Sequence, residues 1–187
     1  MIVLATESPF KIKQFQTLNI DFTTYSPKLD ENSIQFGSDL SFEIKAIELA
    51  IAKAKVAKKI YPAAIIVAGD QIAANDEKLL VKPGNPECNI RQLLLLSGQT
   101  HRLYTANAIL YPNGEIKSHL EVAVMKMHPL SELEARKYVE EDEPWMCVGG
   151  YKYETTAGAK LFKSVEVNDK ESIQGMCINF LIQKLRI

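Results

Sequence analysis

The chain has 187 residues, 47% of them apolar and 24% charged, and 22 Lys and Arg against 23 Asp and Glu leave a formal net charge of -1. A chain of this size buries a core without staples, and its composition excludes disorder, collagen and coiled coil. The charge balance also argues against a general nucleic-acid binder, which carries a marked positive excess. A small anionic ligand needs only a few local cations, so it stays open.

The length fits one domain, or at most two small lobes sharing a core. Residues 2–6 read as a short buried strand that runs into Ser8-Pro9, a helix cap followed by proline at the first helical position. That helix turns Ile12, Phe15 and Leu18 inward. Residues 20–25 alternate like a strand, and 26–38 read as a polar loop. From 39 to 60 the apolar residues Leu40, Ile44, Ile47, Ile51 and Ala54 recur at helical spacing. The continuous apolar run 63–69 predicts a strand covered on both faces, ending at Asp70-Gln71.

A turn at Asn75-Asp76 leads to a short strand over 78–81 and then to Lys82-Pro83-Gly84. Asn85-Pro86 starts a second capped helix, to about Leu96, which Ser97-Gly98 terminates. Residues 100–111 and 115–127 form a hairpin around Asn113-Gly114. Ser131 and Glu134 have capping-box spacing and open a helix to about Glu141. A Gly-rich segment, 147–158, precedes a strand over 159–167 and a final helix over 170–186. The alternation of strands and helices, with one hairpin, predicts an α/β fold on a mixed sheet.

Targeting signals are absent from the sequence as given. The N-terminal apolar run lacks a basic lead and stops at Thr6, and no apolar stretch nears the roughly 20 residues of a membrane span. Cys88, Cys147 and Cys177 are odd in number and widely spaced, and His101, His119 and His128 lack ligand spacing, so disulfides and zinc are poor readings. A cytoplasmic protein that binds neither membrane nor nucleic acid is expected.

Four features carry chemistry. At Thr6-Glu7-Ser8-Pro9 a helix starts just after a strand, presenting free N–H groups and a positive dipole end to an anion, with Lys11 and Lys13 in the first turns. Lys53 sits in an otherwise apolar helical row with Phe42, Ala46, Leu49, Ala50 and Ala57, where an ammonium must reach water or meet an anion. Asp70 follows a buried strand, where carboxylates commonly hold a metal or activate water. Lys82 adds a cation after another strand, and Asp30-Glu31 in the long loop can join Asp70 around a divalent ion. Each piece alone is equally an ordinary cap, snorkelling lysine or solvated acid; together they describe a site for a polyphosphate with Mg²⁺.

These residues, with Leu4-Ala5, Leu49-Ala50, Lys53-Ala54, Gly69-Asp70, Lys82-Pro83 and the run Leu95-Leu96-Ser97-Gly98, Thr100-His101-Arg102 and Tyr104-Thr105, resemble the Maf-type nucleoside triphosphate pyrophosphatases over nearly the whole chain. The resemblance implies a single domain over 1–187 with a Maf/ITPase-like α/β fold: a mixed, strongly curved sheet flanked by helices, in two lobes with a cleft between them. It implies hydrolysis of the α–β phosphoanhydride to a nucleoside monophosphate and pyrophosphate, with a divalent cation (Mg²⁺, Mn²⁺ or Co²⁺), in a homodimer. Asp70 is then the catalytic acid or base and, with Glu31, the metal ligand. Lys11, Lys53 and Lys82 neutralise phosphate charge, and Ser8 cradles a phosphate.

Phe10, Gln71, Lys152 and Glu154, with Cys147-Val148-Gly149, resemble the 7-methyl-GTP branch of that family. The pyrimidine branch, acting on dTTP, UTP or CTP, is the alternative and has arginine, threonine and glutamine near positions 10, 71 and 154. N7-methylation makes guanine cationic, which an aromatic face attracts, and a carboxylate accepts from its N–H edge. The chain departs from the family at Lys11-Ile12, where paired arginines are usual, at Glu7, and at Gly175-Met176-Cys177-Ile178, which replaces a Gly-Leu-Pro-Leu-like turn. Those departures motivate a third reading, a catalytically weak nucleotide-binding regulator.

Overall fold

The computed structural model describes residues 1–29, 40–76 and 78–186. Glu31 and most of the 26–38 loop therefore lie outside the described residues. Among the described residues seven strands form one sheet: β1 (Ile2–Ala5), β2 (Phe22–Tyr25), β3 (Ile65–Asn75), β4 (Lys78–Leu80), β5 (Thr100–Leu110), β6 (Ile116–Met127) and β7 (Phe162–Glu166). Their order is β2-β1-β3-β5-β6-β7, with β4 paired to β3. The sheet is mixed, because β1 lies parallel to β2 and β3 whereas β3–β4 and β6–β7 are antiparallel.

Among the described residues six α-helices accompany it: α1 (Pro9–Gln16), α2 (Phe42–Ile60), α3 (Pro86–Leu96), α4 (Glu132–Asp142), α5 (Thr156–Ala159) and α6 (Ile178–Leu185). The predicted caps operate. Ser8, Asn85 and Ser131 each accept from a backbone N–H in the first turn, and Ser131 and Glu134 close a reciprocal capping box.

Three expectations change. β3 does not end at Asp70-Gln71 but continues to Asn75, because Ala73 to Asn75 pair with β4. The final helix is broken: a 3-10 turn over Lys170–Gln174 ends at Gly175 (φ 110°), and α6 begins only at Ile178. The strand expected over 159–167 begins at Phe162, because Thr155 caps the short helix α5 before it.

The chain divides into two compact units, and β3, β5 and β6 contribute residues to both. The first comprises residues 1–71, 104–121 and 169–187. Its core follows the two-residue strand period. Leu4 and Val67 pack with Phe15, Ile178 and Leu181, while Val3, Ala5, Ile66 and Ala68 pack with Ala54 and Ala57 of α2. A strand covered on both faces must be apolar throughout, which is why Val3 to Ala5 and Ile66 to Ala68 are fully buried. The second unit comprises residues 72–103 and 122–168. There α3 lies against α4, and His101, Tyr151 and Phe162 form an aromatic cluster. No helix among the described residues is long and apolar enough to cross a membrane.

Candidate active site

In the first unit, chemistry gathers on Gly69-Asp70-Gln71 within β3. Asp70 is buried, and its Oδ1 lies 2.5 Å from the Lys53 ammonium. Lys53 stands on the buried side of α2 among Ala46, Leu49, Ala50 and Ala54, so the ammonium expected to seek water or an anion finds the Asp70 carboxylate. Their side chains are 16% and 9% exposed, which leaves the pair a water-facing edge. A half-buried pair needs such geometry to offset its desolvation.

Lys11 reaches the same segment from α1, donating from Nζ to the Gly69 carbonyl at 2.7 Å. Its path depends on Gly175, where a Cβ would stand 2.9 Å from Lys11 Cε in a left-handed conformation that side chains resist. Gly69 is itself bare because the Asn107 amide occupies the space of a side chain. Ser8 accepts from the Lys11 amide as the cap of α1, and Phe10 stands exposed on the first turn. Glu7, which the sequence places beside this helix start, accepts from Ser26 at 2.5 Å, next to the end of β2.

Gln71 is fixed from behind. Its amide donates to Thr105 Oγ1 at 2.9 Å and to the Ser172 and Ile173 carbonyls at 3.1 and 3.0 Å. Two carbonyl partners define which end of the amide is nitrogen, so the carbonyl oxygen is the end turned away from the turn. Asn107 links β3 to the start of α6, donating to the Ala68 carbonyl and accepting from the Cys177 amide at 2.5 Å. A proline at 177, as in the family pattern, has no N–H to donate. Buried Asp169 accepts from the Glu171 and Asn179 amides and holds the same turn. Thr105 and Asn107 carry no sequence signal of their own beyond the Tyr104-Thr105 motif, since their partners lie far away along the chain, whereas Asp169 caps the 3-10 turn that follows it.

The second unit holds Lys82, Lys152 and Glu154. Lys82 is exposed after β4, and its turn is anchored by the Gly84 amide donating to Trp145 O at 2.8 Å. Burial, then the Glu154 charge, pushes the Cys147 thiol up to about 11, while Lys152 and Lys82 pull the other way. All three charged residues thus lie within electrostatic reach of Cys147. Glu154 is exposed, and the Lys152 ammonium donates to the Asp142 carbonyl, one of the open carbonyls at the end of α4.

His101 of the family-like run is structural. It is fully buried, bonds the Tyr151 hydroxyl at 2.7 Å, and burial lowers its pKa to about 4.

Among the described residues no cluster of three or more His, Cys, Asp or Glu can hold a metal. Asp70 alone still suits a hard divalent ion of the Mg²⁺ kind, which is commonly held by one or two carboxylates together with substrate phosphates and water. Glu31 lies outside the described residues.

The model of the Maf-like protein family matches residues 1–187. A 7-methyl-GTP pyrophosphatase of Vibrio vulnificus is 30% identical, covering 98% of this chain and 93% of its own. A nucleoside triphosphate pyrophosphatase of Rhodospirillum rubrum is 33% identical, covering 99% of this chain and 93% of its own. Among solved structures, the Staphylococcus aureus Ham1 protein superposes with a TM-score of 0.57 at 16% identity, covering 99% of this chain and 97% of that one. That last likeness concerns the fold alone.

Proposed function

The chain belongs to the Maf family, and from that premise we propose that it is a nucleoside triphosphate pyrophosphatase with 7-methyl-GTP as its preferred substrate. The observation that carries the reading is the grouping of two lysines on one strand segment: Lys53 on the Asp70 carboxylate and Lys11 on the Gly69 carbonyl. A carboxylate with adjacent fixed cations is what hydrolysis of a phosphoanhydride requires, because the reaction spreads negative charge over phosphate oxygens.

In this reading water adds to phosphorus and the α–β bridging oxygen leaves with pyrophosphate. Asp70 Oδ1 is held by Lys53, so Oδ2 is the oxygen that accepts from the attacking water. Lys11, Lys53 and Lys82 neutralise the growing charge, and Ser8 with the first amides of α1 receives a phosphate oxygen. Asp70, together with the substrate's own phosphates, would hold a divalent cation, which would supply further charge neutralisation.

Base preference rests on separate residues. The exposed Phe10 ring offers a face to the cationic methylated base, an attraction of about 0.5–2 kcal/mol. Glu154 accepts from the guanine N–H edge, Gln71 presents its carbonyl oxygen, and Lys152 lines the same segment as Glu154. The name of the Vibrio relative supports this preference, while the Rhodospirillum relative carries no base in its name.

The test is a panel of 7-methyl-GTP, GTP, UTP, CTP and dTTP, each with Mg²⁺, Mn²⁺ or Co²⁺, read as pyrophosphate released per enzyme. The highest kcat/KM is expected for 7-methyl-GTP. A higher value for UTP, CTP or dTTP assigns the chain to the pyrimidine reading. Tight nucleotide binding with no pyrophosphate under any metal assigns it to the regulator reading.

A further inference from the structure

Glu154 is exposed on a loop, yet the loop is tied down on both of its sides. On one side the Lys152 amide donates to the Tyr138 hydroxyl at 2.9 Å, and the Lys152 ammonium donates to the Asp142 carbonyl. On the other side the Thr155 hydroxyl donates to Asp142 Oδ2 at 2.5 Å, while Thr155 Oγ1 itself accepts from the Gly158 amide as the cap of α5. Both anchors belong to the last turns of α4, a helix set by its own capping box and by the burial of Ala135, Tyr138 and Val139.

We propose that Tyr138 and Asp142 are positioning residues for base recognition, clamping the segment 152–155 so that the Glu154 carboxylate is presented in one place. The proposal rests on the reading that Glu154 contacts the base. Neither residue needs to touch substrate.

The physical case is that an exposed carboxylate on an unrestrained loop loses, on binding, the freedom it had before. Fixing the backbone on both sides removes that cost in advance, which is how a supporting shell sharpens a recognition residue. The clamp is economical in structure. Asp142 serves one flank through its carbonyl and the other through its carboxylate, and Tyr138 holds the amide that begins the segment. Tyr138 is 5% exposed, and burial first, then the neighbouring Asp142 charge, keeps its hydroxyl protonated. Helix α4 also satisfies its own end through Lys152, because its last carbonyls otherwise lack partners.

The experiment compares the ratio of kcat/KM for 7-methyl-GTP over UTP in the full chain and in Tyr138→Phe, Asp142→Ala and Glu154→Gln. Tyr138→Phe and Asp142→Ala are each expected to lower the ratio about fivefold, through KM for 7-methyl-GTP and with kcat on UTP unchanged. In a Glu154→Gln background the same changes are expected to have no further effect on the ratio. Hydrogen exchange at the Lys152 amide is expected to quicken in Tyr138→Phe, a change of one oxygen that keeps the test available if Asp142→Ala does not fold. A ratio that falls in Glu154→Gln but stays unchanged in Tyr138→Phe overturns the clamp alone. A ratio unchanged in Glu154→Gln overturns the base reading and the clamp with it. Restoration of the ratio in Asp142→Glu relative to Asp142→Ala supports the carboxylate's role.

Discussion

The two compact units carry their candidate site residues in opposite ways. In the first, Asp70 and Lys53 are largely buried on a strand and a helix and hold each other at 2.5 Å. In the second, Glu154, proposed to contact the base, is exposed on a loop. Regular elements fix position, which suits the residues proposed to do chemistry. Loops tolerate change, which suits the residues proposed to choose the base. Asp70 and Lys53 are therefore expected to govern rate, and Glu154 to govern substrate ranking.

The strongest way to break this division is Asp70→Asn, which keeps size and removes the charge. Pyrophosphate release is expected to fall by about 10²-fold or more in a chain that still folds, with a lowered melting temperature because the Lys53 ammonium loses its counter-charge. Full activity in that variant ends the chemical role of the first unit.

The next largest effect concerns the interior of the second unit, which must be rigid if its loops are to be presented reliably. His101 has a folded pKa of about 4, below the ordinary 6.5, because burial disfavours its charged form. The unfolded chain thus binds the proton more tightly. The stability that neutral His101 contributes is complete above pH 6.5 and is lost as pH falls toward 4, a loss on the order of 2–3 kcal/mol. Melting temperature measured from pH 7 to 4 is expected to fall less steeply in His101→Gln than in the natural chain. Parallel curves would remove His101 from the acid response.

A smaller effect sharpens the account of the first unit. Cys177→Pro removes the N–H from which Asn107 Oδ1 accepts, leaving a buried oxygen without its donor. A loss of about 1–3 kcal/mol is expected in denaturant unfolding. A gain in stability would mean that Asn107 finds another partner.

The mildest effect belongs to recognition. Glu154→Gln is expected to lower the preference for 7-methyl-GTP over UTP by about fivefold to tenfold while sparing kcat on UTP, because one charge-assisted bond is weakened. A uniform loss on both substrates would place Glu154 in the chemistry instead.

Much of the scaffold is legible in the chain because its signals are local. Ser8-Pro9, Asn85-Pro86 and Ser131 with Glu134 each mark a helix start within four residues. Lys53 is legible as well, since a lysine in an apolar row demands an explanation, and Asp70 supplies it. The continuation of β3 past Asp70 is not legible, because a polar pair after an apolar run looks the same whether the strand ends or carries a site. The break at Gly175 is hidden by the apolar residues Ile173, Met176 and Phe180, which keep three- and four-residue steps across it. The hold on Gln71 and the clamp on 152–155 join residues from 10 to 102 positions apart, and such pairs leave no period in a sequence.

The most direct test of the central claim is the product balance of the natural chain turning over 7-methyl-GTP with a divalent cation. One pyrophosphate for each 7-methyl-GMP, with kcat/KM above that for UTP and both products lost in Asp70→Asn, is the expected result. Release of orthophosphate with 7-methyl-GDP would contradict it.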